Sequence, residues 1–260
     1  MSTSATTTQV VEAVTTQRFM PLDFNVYNGS SSSGSFKNRE KDLCFLGPHR
    51  KDRLFVITNR HNSLRIRPAP CVILHDGLQP QNPALGTVTN THVEGDKKHH
   101  FWDRYSISVM SYGEDFSGLF VTETLKAVRK GVGMDARTVL RFAMDVDSAF
   151  APDSDSMLLH TDGSRVLERQ KFEWREKFTD VTGEGLEPRS EGWRLVALSE
   201  PREVLATCTP NSRSRNKALR FEFCGEGRVA GLYGASWELM AIMSGLTICH
   251  RLGEIAGSVG

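Results

Sequence analysis

Ser236–Arg251, SWELMAIMSGLTICHR, is the stretch that decides the fold. Trp237, Leu239, Met240, Ala241, Ile242, Met243, Leu246, Ile248 and Cys249 run round every side of a helix and leave almost no polar face. Such a helix has to be enclosed on nearly all sides. It is too short, and too interrupted by polar residues, to span a bilayer. Ser236 stands where an N-cap is expected. Ala241, Ser244 and Gly245 provide a narrow side that lets the helix pass close to a wall.

Upstream of this helix the chain reads mostly as short strands. Leu43–Leu46, Leu54–Ile57, Ser63–Arg67, Cys71–Leu74, Leu85–Thr89, Tyr105–Val109, Val139–Val146 and Met157–Leu159 are apolar or alternating runs. Each is bounded by turn residues such as Gly47-Pro48, Asp76-Gly77 and Thr161-Asp162-Gly163. Phe172, Trp174 and Phe178 alternate with Lys171, Glu173, Arg175 and Lys177, the period of a strand. Trp193–Leu198, Val204–Thr209, Leu219–Cys224 and Arg228–Tyr233 complete the set, with Gly225-Glu226-Gly227 as a hairpin turn. Val121, Leu125 and Val128 recur at helical spacing before Gly131, so Leu119–Lys130 is expected to be a short helix. The fold class is therefore all-β with one central helix: a closed antiparallel barrel of about twelve strands around its C-terminal helix. A barrel that wide cannot fill its interior with its own side chains, and the helix is the plug. The domain division is a flexible N-terminal tail over residues 1–37, rich in Ser and Thr, and a barrel domain over 38–260.

Five blocks of sequence carry a family resemblance. They are Arg53-Leu-Phe-Val-Ile-Thr-Asn-Arg60, Pro70-Cys-Val-Ile-Leu-His-Asp-Gly77 with Leu85-Gly86, Lys171-Phe-Glu-Trp-Arg175, Gly192-Trp-Arg-Leu-Val196 and Trp237-Glu-Leu-Met-Ala-Ile-Met-Ser244. Over roughly residues 40–260 the chain resembles the tubby C-terminal-like barrels, a group that includes the LURP-one-related proteins and the phospholipid scramblases, and looks most like its fungal branch. The resemblance implies a twelve-stranded barrel threaded by a hydrophobic helix. It also implies contact with a phospholipid headgroup, by fold analogy alone.

Composition narrows the classes of function. At 260 residues, 39% hydrophobic, 24% charged and a formal net charge of +1, nothing advertises a nucleic-acid partner. Five scattered cysteines without CxxC spacing argue against a disulfide scaffold and a structural zinc site. The N-terminus has no basic start followed by an apolar core, so it does not read as a secretory signal. A cytoplasmic protein, reaching the nucleus or the membrane periphery, is the expectation.

Candidate sites are weighed against plainer arrangements. Arg60, Arg65 and Arg67 form either an anion site or a solvated strand face, the latter being commoner. Lys171, Glu173, Arg175 and Lys177 share one face. With Phe172 and Trp174 inward they make cross-strand ion pairs on the outside, the favoured arrangement; in a polar lumen, Arg175 and its neighbours would line a cavity instead. His92, His99 and His100 with Asp96 and Asp103 lie in a polar loop without ligand spacing. Asp145 and Asp147, with Asp153 and Asp155, match a DxD pattern that can hold a divalent cation, but solvated loops have the same composition. There is no GxSxG, P-loop or GxGxxG, and Cys208 with His250 is read as core packing. The expectation is a non-enzymatic binding protein for an anionic small molecule, a phospholipid headgroup or a protein partner, with Arg60, Arg65, Arg67 and Arg175 as ligand-binding residues and neither metal nor cofactor. The alternative is an enzyme of specialised metabolism that works at the barrel mouth or lumen, with Asp145 and Asp147 catalytic.

Overall fold

In the computed structural model, residues 20–28, 42–59, 70–91, 104–111, 119–131, 137–147, 167–177, 192–199, 203–210, 217–229 and 231–257 are described. Their strands are β1 (Asp23–Asn28), β2 (Asp42–Gly47), β3 (Phe55–Asn59), β4 (Pro70–His75), β5 (Ala84–Asn90) and β6 (Arg104–Met110). The second half consists of β7 (Phe120–Lys130), β8 (Arg137–Asp147), β9 (Leu167–Lys177), β10 (Gly192–Ala197), β11 (Val204–Pro210) and β12 (Lys217–Phe223). Helix α1 (Ala235–Gly257) follows. Consecutive strands pair antiparallel, and β1 pairs with both β2 and β12, closing the barrel. Closure leaves no edge to pair with another chain.

Alternation decides which side chains enter the lumen. Leu140, Trp174 and Leu195 are cross-strand neighbours on β8, β9 and β10, and all three are buried. Phe172 and Phe142 stack one layer away, with ring centroids 5.2 Å apart. Every residue of α1 from Trp237 to Ile248 is buried, as an all-round apolar helix requires. Each fully buried Leu, Ile or Met contributes about 1.5–3 kcal/mol. Ser244 on the helix is tied to the wall and to its own turn. The Trp174 indole N–H donates to Ser244 Oγ at 2.8 Å, and the Ser244 hydroxyl donates to the Ala241 carbonyl at 2.9 Å. The helix touches the wall closely at Gly245, where an added Cβ would lie 3.0 Å from the Phe221 ring. No helix among the described residues is long and apolar enough to cross a membrane.

The structure corrects four expectations. Leu119–Lys130 is strand β7, not a helix. Leu125 packs inward opposite Tyr105, while Thr122, Thr124 and Lys126 are exposed. Pairing with β6 on one side and β8 on the other overrides the helical spacing, as tertiary context does with weak propensities. Arg228–Tyr233 is not a strand, and Gly225-Glu226-Gly227 is not a hairpin turn. A 3-10 turn spans Gly225–Arg228, because a closed barrel has no edge left to take another strand. Tyr233 packs against Trp237 of the helix instead, the ring centroids 4.7 Å apart and the planes tilted by 35°. β1 lies within the expected tail of residues 1–37, so the barrel begins before residue 38. Its Phe24 stacks on Phe221 at 5.0 Å. Ser236 is not the N-cap: α1 already includes Ala235, and the Ser236 hydroxyl donates to the Met110 carbonyl at 3.3 Å, tying the helix to β6. The expected strands at 63–67 and 157–159 lie outside the described residues.

Candidate functional site: a carboxylate-centred basic cluster on the outer wall

On β9 the inward residues Phe172 and Trp174 flank Glu173, which therefore points outward. Glu173 is nevertheless buried, its side chain 0% exposed. Three cations cover it. Lys130 Nζ donates to Oε1 at 2.7 Å, Arg175 Nε to Oε1 at 2.6 Å, and Arg141 Nε to Oε2 at 2.6 Å. The partners stay partly exposed, at 41% for Lys130, 37% for Arg141 and 30% for Arg175.

The sheet register builds this arrangement. Arg141 on β8 lies directly opposite Glu173, and Val196 on β10 lies opposite it on the other side. Lys130 reaches in from the end of β7. Arg194 on β10 lies directly opposite Arg175, a like-charge pair that is unfavourable by itself. The Arg194 Nε is buried and has no hydrogen-bond partner. Val139 and Val196 face outward yet are buried, as expected where long cationic side chains lie over apolar wall and keep their heads in water.

Electrostatics follow from this geometry. Burial by itself would push the Glu173 carboxyl up. The hydrogen bonds from Lys130, Arg175 and Arg141 outweigh it and hold the group at about 2, below its ordinary 4.5. One carboxylate thus balances three cations, and Arg194 adds a fourth. Arg141 and Arg175 each use Nε on Glu173, so the two terminal nitrogens of each guanidinium remain for another acceptor. Two guanidinium edges beside an ammonium are suited to bidentate recognition of a tetrahedral oxyanion.

A second polar cluster lies further along the same strands. Arg169 forks onto the Glu123 carboxylate, through Nη1 to Oε1 and through Nη2 to Oε2 at 2.6 Å. Nη1 also contacts Asp145 Oδ1 at 3.4 Å. Here no cation is left over, and the hydrogen bonds with Glu123 outweigh burial, which acts the other way, and raise the Arg169 pKa.

The expected site residues are distributed as follows. Arg175 is in the cluster. Asp145 is exposed and paired with Arg169, four residues along β8 from Arg141. Asp147 ends β8, and its side chain lies outside the described set. Arg60, Arg65 and Arg67 lie outside the described residues, as do the histidine loop, Asp153 and Asp155. Among the described residues no group of His, Cys, Asp or Glu is arranged to hold a metal ion. Cys208 donates to the Gly245 carbonyl at 3.6 Å, and burial, with Cys249 nearby, pushes its pKa well up. That favours the inert thiol.

Sequence reading missed Lys130, Arg141 and Arg194 as members of the site. Lys130 fell in the supposed helix. Arg141 and Arg194 are single cations inside apolar strands. That interruption, repeated in strands that pair in turn with β9, was the available signal. Comparison of the chain with family models, curated proteins and solved structures gives no match.

Proposed function

We propose that this protein binds an anion of the phosphate class on the outer wall of its barrel, as a non-enzymatic binding protein. The observation that carries the reading is the excess of cations around Glu173. Lys130, Arg141 and Arg175 share one buried carboxylate, while Arg194 stands opposite Arg175 with a buried Nε that has no partner. Along the same strands the Arg169 fork has the opposite excess, one guanidinium facing the carboxylates of Glu123 and Asp145, so surplus cation is confined to the Glu173 cluster. The tubby-like resemblance supports the same reading by analogy and favours a lipid headgroup as the source of the phosphate, with work at the cytoplasmic face of a membrane. A free phosphate ester presents the same chemistry.

The test compares wild type with the Arg141→Gln/Arg175→Gln variant. Binding is measured to vesicles of neutral lipid with and without phosphatidic acid, and to soluble glycerol phosphate. Binding to both that falls by about tenfold or more in the variant supports the reading, since each charge-assisted contact is worth about 1.5–3 kcal/mol. Vesicle binding alone assigns the lipid, and ester binding alone assigns the free ligand. Equal binding by variant and wild type refutes the site.

A further inference from the structure

Glu173 raises a question of charge within the proposed anion site. A carboxylate there opposes the ligand, and Coulomb's law alone predicts that removing it tightens anion binding. The geometry points the other way. The carboxylate has no exposed surface and lies beneath its partners. Arg141 and Arg175 both reach it through Nε, each at 2.6 Å, and Lys130 through its ammonium at 2.7 Å. In a planar guanidinium the edge formed by the two terminal nitrogens points away from Nε. An arginine held at Nε therefore turns that edge away from its anchor, and this is the edge that matches two oxygens of a phosphate.

We infer that Glu173 is the positioning residue of this site: it holds Arg141, Arg175 and Lys130 as a fixed cradle for a tetrahedral dianion of the phosphate type. The inference rests on the anion-site reading above and deepens it. Without the carboxylate, three cations on neighbouring strands repel one another and spread among solvent rotamers. Gathering them round a ligand then costs side-chain entropy that the wild type has already lost on folding. Arg194, which is not tied to Glu173, remains as a further donor. The cradle also explains selectivity. A spherical halide gains nothing from paired edges, and a monoanionic carboxylate balances less of the excess charge.

The experiment uses the full chain as wild type, Glu173→Gln and Glu173→Asp. The probe is inorganic phosphate at low ionic strength, read by nitrogen–proton correlation of the arginine Nε–H groups. In wild type, two Nε–H signals are expected to be sharp and shifted by their bonds to the carboxylate, and phosphate is expected to move them further. In Glu173→Gln these two signals are lost, and phosphate binds about tenfold more weakly despite the more positive site. Glu173→Asp, one methylene short but still charged, falls between the two. Binding by Glu173→Gln as tight as wild type, or tighter, makes Glu173 an opposing charge and overturns the inference, leaving the anion site standing. No phosphate-dependent shift in wild type overturns the anion-site reading and this role with it. Circular dichroism checks each variant for native structure. Where Glu173→Gln does not fold, Glu173→Asp decides: weaker binding than wild type supports the cradle, and equal or tighter binding overturns it.

Discussion

The two faces of β9 are opposites built from adjacent residues. Phe172 and Trp174 enter a lumen filled by α1, where packing is apolar and the indole N–H has a partner in Ser244. Glu173 and Arg175 face out, where charge outnumbers its balance. Both faces are buried at Glu173 and its neighbours, but for different reasons. Inside, burial is the driving force, and stability scales with apolar area. Outside, burial of a carboxylate is costly and is tolerated because three donors satisfy it. The inner face makes the barrel; the outer face is where the proposed chemistry lies.

This contrast can be broken most severely from inside. A chain ending at residue 235 lacks the whole plug and is expected to show no cooperative unfolding transition in calorimetry, because a wide barrel cannot fill itself. A 1–235 fragment that melts cooperatively would show that the wall stands alone. Next in size is Met240→Asp, which places an unpaired charge in the lumen. Denaturant unfolding should show a loss of about 4 kcal/mol or more, and an unchanged midpoint would mean that Met240 is in contact with water.

The outer face should give smaller effects with a pH signature. The Glu173 carboxyl is held at about 2, against an ordinary 4.5. A depressed carboxyl stabilises the folded state fully above about 4.5, and that contribution fades as pH falls toward 2. The size is about 2–3 kcal/mol. In Glu173→Gln the loss is present at neutral pH and the acid limb of the stability curve flattens over that window. A variant with the same acid limb as wild type would place the titration elsewhere. The smallest effect belongs to Arg169→Gln. Its guanidinium is 48% exposed, and Asp145 beside it 55%, so thermal unfolding should register less than about 1 kcal/mol. A larger loss would make the Arg169 fork a structural clamp, and the contrast between a cluster with acid in excess and one with cation in excess would lose its reference point.

The inner face was legible in sequence and the outer one only in part. An apolar helix after many strands has few solutions, so α1 inside a closed barrel could be read from Trp237–Ile248. Phe172 and Trp174 alternating with charges placed β9 the right way round. β1 was missed because Asp23, Asn25 and Asn28 look like loop, although Phe24 and Val26 alternate as a strand does. β7 was missed because three apolar residues at helical spacing also suit a strand whose pairing supplies the rest. The cluster was hidden for a further reason. Glu173 meets Lys130 across 43 residues and Arg141 across 32, and only the register of β7, β8 and β9 brings them together. Local pattern determines which way a side chain points; it does not determine what it will meet.

The most direct test of the anion site is a crystal of the full chain soaked in tungstate, a heavy tetrahedral dianion that stands in for phosphate, with an anomalous difference map. The expected result is a peak within hydrogen-bond reach of the Arg141 and Arg175 terminal nitrogens, above Glu173 and absent in the Arg141→Gln/Arg175→Gln variant. A cluster left empty while tungstate binds elsewhere on the same molecule would contradict it.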